Sequence, residues 1–159
     1  MLFSCLIFMP VFSVAGCSKD KYNAVLYDNV VEWVREDFIE DNIIDYFQDG
    51  SSANQTFIID SQEEYNQIFL ENTDGLSVDF DSQMLEVYKY ISFNNRNNYL
   101  TSLELNGDIL TITYEMEKKK GVNDTSQPYQ RWFVVRLDKL DVDSVVFKER
   151  GENNYSLWQ

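Results

Sequence analysis

Asn106-Gly107 narrows what this chain can fold into more than any other pair of residues. Both tolerate positive φ and so favour a two-residue type I′ turn, whose twist matches that of the strands it joins and thereby sets their register. With that turn Leu105 faces Asp108, Leu103 faces Leu110, Thr101 faces Ile112 and Tyr99 faces Tyr114. Residues directly opposite share a face, so most apolar side chains of the two strands gather on one side, and a one-residue slip would scatter them. A β-hairpin with one buried face is therefore expected around residue 106.

The same period of two runs upstream and downstream. Leu85, Val87, Ile91 and Phe93 alternate with Met84, Glu86, Tyr88, Tyr90 and Ser92. A strand so largely apolar on both sides is expected at the centre of a sheet. Asn94-Asn95-Arg96-Asn97-Asn98 breaks the run as a surface loop, and Glu117 to Pro128 is a second polar loop. Two more strands are expected over Tyr129 to Leu137 and Val142 to Lys148, joined around Asp138 to Asp141. In the first, Phe133, Val135 and Leu137 lie on one face and Trp132 and Val134 on the other.

One helix announces itself by its start. The short apolar strand Thr56-Phe57-Ile58-Ile59 runs into Ser61-Gln62-Glu63-Glu64, where Ser61 is placed to accept from the amide of Glu64 and Glu64 to reach back to the amide of Ser61. Such a capping box contributes about 1 kcal/mol, and its acidic first turn suits the positive end of the helix dipole. Tyr65, Ile68 and Phe69 then form one apolar stripe. Val30 to Phe47 is ambiguous. Val30, Val31, Trp33, Val34 and Phe38 share one helical face, whereas Ile39, Ile43, Ile44, Tyr46 and Phe47 fall opposite, so the phase breaks near Glu40. Two helical pieces, or a partly extended segment, satisfy that pattern. Asp49-Gly50-Ser51-Ser52 closes it as a turn.

About five or six strands with one or two helices, mostly on short connections, imply an α+β domain. Its twisted, mainly antiparallel sheet would carry the Ser61 helix on its inner face; a half-open barrel or sandwich is the alternative.

Ahead of all this stands a leader. Met1 to Gly16 holds no charged residue and ends Val14-Ala15-Gly16-Cys17. Its apolar run is roughly half the ~20 residues a membrane-spanning helix needs, which fits the core of a signal peptide. The usual basic opening of such a peptide is missing, so Met1 is expected to be a late or misassigned start. Val-Ala-Gly-Cys resembles the bacterial lipoprotein processing site, where the cysteine takes diacylglycerol and the chain is cut just before it. By that resemblance cleavage falls between Gly16 and Cys17, and Cys17 becomes the acylated first residue, held at a membrane by chains worth ~0.8 kcal/mol per buried CH₂. An ordinary secretory signal cut near Ala15, leaving Cys17 a free thiol, is the alternative. Cys5 leaves with the leader, so no internal disulfide is expected. Ser18 in the second position favours the outer membrane in a Gram-negative cell. The expected organisation is a signal peptide over 1–16, a lipidated tether over 17–29, a single domain over 30–150 and a tail over 151–159, whose Leu157 and Trp158 have the character to dock.

Removing the first 16 of 159 residues leaves 143, the size of one domain, and with 44% apolar and 15% aromatic residues the chain has material for a core. The net charge of −14 repels phosphate backbones, which speaks against nucleic-acid binding and leaves a basic protein partner or mere solubility. The chain contains no histidine, which removes the commonest general base and transition-metal ligand together. With a single mature cysteine, the usual nucleophilic triads and zinc sites go too. No catalysis, cofactor or metal is expected.

The passage Ile58-Ile59-Asp60-Ser61-Gln62-Glu63-Glu64-Tyr65, followed by Val78-Asp79-Phe80-Asp81-Ser82-Gln83-Met84-Leu85, resembles PrcB-type domains over about Thr56 to Lys148. Those are small lipoprotein or secreted domains named after a subunit of a surface protease complex. The resemblance implies a non-catalytic subunit that stabilises or assembles a protein partner at the cell surface. Lys118-Lys119-Lys120, conspicuous in an acidic chain, is the candidate partner contact, although a solvated hairpin edge explains it as well. Asp79-x-Asp81 and Asp138-x-x-Asp141-x-Asp143 carry oxygen ligands without the Gly and terminal Glu of a calcium loop, and read as surface turns. Glu63 and Glu64 point apart on a helix and do not make an acid/base pair. Trp132, Trp158 and the tyrosines would suit either a core or a glycan platform. Three functions remain: an accessory or assembly lipoprotein, an immunity or inhibitor lipoprotein against a basic effector, and a glycan-binding surface lipoprotein.

Overall fold

A computed structural model describes residues 18–49, 53–71, 73, 75–93, 95–117 and 127–150. In chain order the elements are α1 (Ser18–Lys21), β1 (Val25–Asp28), a 3-10 turn (Val30–Trp33), α2 (Glu36–Asp41), α3 (Tyr46–Asp49), β2 (Asn54–Ile59) and α4 (Gln62–Ile68). Then follow β3 (Gln83–Ser92), β4 (Asn98–Asn106), β5 (Ile109–Met116), β6 (Tyr129–Asp138) and β7 (Ser144–Glu149). The strands form a four-stranded antiparallel sheet in the order β1-β6-β3-β2 and a three-stranded sheet in the order β4-β5-β7, with β5 and β7 parallel. The protein is thus α+β, as its patterning implies, with its strands divided between two sheets instead of lying in one.

β3 and β6 explain the layering. They are paired at the centre of the larger sheet and carry apolar side chains on both faces, so both faces must be covered. On one side Leu85, Val87, Trp132 and Val134 pack against Val30, Val34, Tyr65, Ile68 and Phe69 of the helical segments. On the other, Met84, Tyr88, Phe133, Val135 and Leu137 meet Leu103, Leu110, Ile112 and Tyr114 of the smaller sheet. The result is three layers, helices on sheet on sheet, with the two faces of β6 divided as the alternation of Trp132 to Leu137 requires.

The hairpin forms with a different turn. Asn106 pairs with Ile109, so Gly107-Asp108 are the loop residues, and of these Gly107 alone has positive φ (+64°), the pattern of a type II′ connection. Leu105 therefore faces Leu110 and Leu103 faces Ile112, and Leu105 escapes the expected pairing with Asp108. The shift between expected and observed pairing is even, so every side chain keeps its face. Beyond Thr101 the parity does change. A bulge between Leu100 and Ser102, held by the Thr101 hydroxyl donating to the carbonyl of Thr113 (2.9 Å), sets Leu100 opposite Tyr114 and turns Asn98 inward.

Two other expectations need correction. Val25–Asp28, read as part of a tether, is an edge strand paired along its length with β6, because an antiparallel partner supplies the hydrogen bonds that a four-residue strand cannot supply itself. Val30 to Asp49 is three short helical pieces: the break expected near Glu40 falls just after Asp41, and a second break, not expected, comes at Val34. Val34 leaves the helical conformation to bridge Phe69, with Arg35 N–H donating to the Ile68 carbonyl (2.9 Å) and Leu70 N–H to the Trp33 carbonyl (2.9 Å). That exchange ties the 3-10 turn to the end of α4. α4 itself starts as expected, the Ser61 hydroxyl accepting from the Glu64 amide (3.3 Å), while the Glu64 carboxylate reaches back to accept from the amide of Asp60 (3.0 Å) and from the Ser61 hydroxyl (3.0 Å).

Candidate functional site

The segment next to Cys17 is clamped to one end of the sandwich. After α1 the chain turns through Asn23 (φ +49°), with the Ala24 amide donating to the Lys19 carbonyl (3.1 Å). The Tyr22 carbonyl accepts from the amide of Asp138 (2.9 Å), and the Asn23 side-chain amide donates to the Asp138 carboxylate (2.8 Å). Tyr22, Ala24 and Leu26 pack on the core between the sheets. The hairpin tip lies at this same end, where the amide of Asp143 donates to the Asp108 carbonyl (2.9 Å). Asp79 is a turn former here: its carboxylate accepts from the Asp81 amide (3.2 Å) and the Ser82 hydroxyl (2.8 Å) ahead of β3. Among the described residues no three His, Cys, Asp or Glu side chains gather as a metal site.

At the opposite end a polar network crosses from one sheet to the other. Arg131 on β6 is buried and its guanidinium donates to both oxygens of Asp28 at the end of β1 (3.1 and 2.9 Å), while its other terminal nitrogen donates to the carbonyl of Arg96. Asp28 also accepts from the backbone amide of Asn98 (2.8 Å) and from its side chain (3.0 Å). The side chain of Asn98 donates in turn to the Tyr90 hydroxyl (2.9 Å). Burial pushes the Tyr90 phenol up to about 12, against the opposing pull of Arg131 and Asn98, and burial likewise raises Tyr114. Both phenols are therefore neutral hydrogen-bonding groups at ordinary pH. Arg131, Asp28 and Asn98 close the gap between β1 and β4, and the bulge at Thr101 is what aims Asn98 into it.

β3 carries two further buried ionisable groups, one on each face. Glu86 is 0% exposed on the face toward the smaller sheet, in register between Ile58 of β2 and Val135 of β6. Neither carboxyl oxygen has a hydrogen-bond partner among the described residues, and burial alone pushes the group up to about 8. Lys89 lies on the helical side, its ammonium donating to Gln55 (3.3 Å) and standing 4.8 Å from the centre of the Trp132 ring. Burial pulls it down to about 8.

The residues singled out in the sequence are distributed as follows. Gly16, Cys17 and Lys118, Lys119 and Lys120 lie outside the described residues, as does Trp158. The strands flanking the lysine run end and begin beside the polar network: β5 stops at Met116, the amide of Glu117 donates to the Asn97 carbonyl (2.8 Å), and β6 resumes at Tyr129. Trp132 is a core residue, stacked on Phe57 at 6.3 Å between ring centres, and offers no surface to a sugar. The helical layer exposes Glu36, Asp37, Glu40, Asp41, Glu63 and Glu71, with Ile43 60% exposed among them, and Arg35 is bound by Asp37 (2.7 Å). The Asp28 network, Glu86 and Lys89 were not foreseen. The signal was present for the last two, since a charged residue inside a strand apolar on both sides must be buried with it. Among the described residues no helix is long and apolar enough to cross a membrane. Compared with the protein-family models, the curated proteins and the solved structures, the chain matches none.

Proposed function

We propose that the protein is a non-catalytic lipoprotein, acylated at Cys17 and held at the cell envelope, that binds another protein as an accessory or assembly subunit. The observation that carries this reading is the position of α1. Helix α1 begins at Ser18, the residue after Cys17, and the chain that follows is fixed at once to the end of the sandwich that holds Asp138 and the hairpin tip. An anchor at that cysteine would set this end against the bilayer and present the opposite end, with the Asp28 network and the flanks of the Lys118 to Lys120 loop, to a partner. The PrcB-type resemblance supports the same role, and Ser18 favours the outer membrane. The exposed acids of the helical layer support a second reading, an immunity or inhibitor lipoprotein whose surface caps a basic effector.

The test is mass analysis of the protein purified from its native membranes, followed by capture of what binds the acylated form. Loss of the leader, acyl chains on Cys17 and enrichment of one protein are expected, and Cys17→Ser should release the protein from the membrane fraction. An intact leader or an unmodified thiol overturns the anchored reading. Recovery of polysaccharide alone overturns both protein-partner readings, and recovery of a single basic toxin selects the second.

A further inference from the structure

We infer that Glu86 makes the seam between β2 and β7 a proton-gated opening of the sandwich: the neutral carboxyl stays sealed in the core, and the ionised one draws water in by parting β2 from the smaller sheet. The motive is the absence, among the described residues, of any partner for two buried oxygens, since an unpaired carboxylate in an apolar interior is far costlier than a neutral acid there. The route follows from the topology. On its own face Glu86 is flanked by Ile58, on the edge strand β2, and by Val135, beyond which lies Leu26 of β1. Water is one strand away on the β2 side. There β2 and β7 touch without belonging to one sheet, and Ile58 is only partly buried. On the other side it is two strands away, behind the bonds that join Asp28 to Asn98. The opening is therefore at β2.

The titratable groups that share this interior are Tyr88 and Tyr90 on β3 itself, Tyr114 on β5 and Tyr22 before β1, with the charged groups Glu149 on β7, Arg131 on β6 and Asp28 on β1 toward the network end. None of them moves the Glu86 proton, because burial is the sole cause acting on it. The sign is then fixed. In an opened state the carboxyl titrates near its ordinary 4.5, and in the closed state near 8, so between those values the closed state holds a proton that the open state has lost. Rising pH favours opening by up to about tenfold per unit across that window, and the effect levels off above it.

The experiment is hydrogen exchange on the full mature chain from pH 5 to pH 9, with protection corrected for the intrinsic rate at each pH. In the wild type, protection of the β2 amides from Asn54 to Ile59 should fall by as much as tenfold per unit up to about pH 8, while the β4–β5 hairpin holds its protection. In Glu86→Gln the β2 protection should lose that dependence. The same slope in both proteins overturns the proposal, as does opening that begins at β1. A carbon-13 titration of the Glu86 carboxyl in the unaltered protein stands apart from any folding defect of the variant: a midpoint near 8 supports the gate, and one near 4.5 ends it.

Discussion

Asp28 shows how much one carboxylate can hold. It takes five hydrogen bonds, two from Arg131, two from Asn98 and one from the Asn29 amide, and so joins β1 and β6 of one sheet to β4 of the other. Removing a partner from a buried pair leaves an uncompensated charge, and that residual charge, more than the lost attraction, sets the cost. Asp28→Asn should therefore destabilise the protein by on the order of 3 kcal/mol, read as a lower urea midpoint at unchanged slope. Replacing Arg131 and Asp28 together by apolar residues should recover much of that loss. β3 offers a second test. Glu86 lowers stability as pH rises from about 4.5 to about 8, because the folded state there holds a proton that the unfolded chain releases. Lys89 works the opposite way. Its folded value of about 8 lies below its ordinary 10.5, so it penalises the folded state below pH 8 and the penalty fades as pH rises to 10.5. The two together place a minimum of stability near pH 8, and the double variant Glu86→Gln, Lys89→Met should flatten that dip in urea midpoints measured across pH.

Among the elements, α4 was the most legible, because every signal for it is local. Ser61 caps, Glu64 returns the bond, and Tyr65 and Ile68 fall on one buried stripe. Ser61→Ala should cost about 1 kcal/mol, seen as a small shift of the thermal midpoint with the rest of the fold intact. The hairpin was legible in its existence and in its faces, but not in its turn. Asn106-Gly107 and Gly107-Asp108 differ by one position, and the choice went to the arrangement that pairs Leu105 with Leu110 and Leu103 with Ile112. β1 was illegible for the opposite reason. Four residues following a polar stretch carry no period of their own, and only the distant β6 makes them a strand. Glu86 and Lys89 were overlooked because their type normally means exposure, although the two-sided apolar pattern of their strand already implied burial. The pairing of β3 on both edges, with layers packed on both faces, is what that pattern becomes in the fold.

At the scale of the molecule, the division into two sheets depends on which strands find each other across the chain, and no local pattern records that. β7 is decisive. It pairs in parallel with β5, and its Val145 and Phe147 complete the core between the sheets, Phe147 stacking on Tyr88 at 4.6 Å between ring centres. A chain shortened after Asp143 should keep some secondary structure yet lose its near-ultraviolet circular dichroism and its cooperative urea transition, since Tyr88, Phe133 and Ile112 would be left uncovered. The placement of β7 at the end of the described chain also orders events in time. A polypeptide made from its amino terminus offers β1 to β6 before β7, so the interior between the sheets stays open until that strand arrives to shut it.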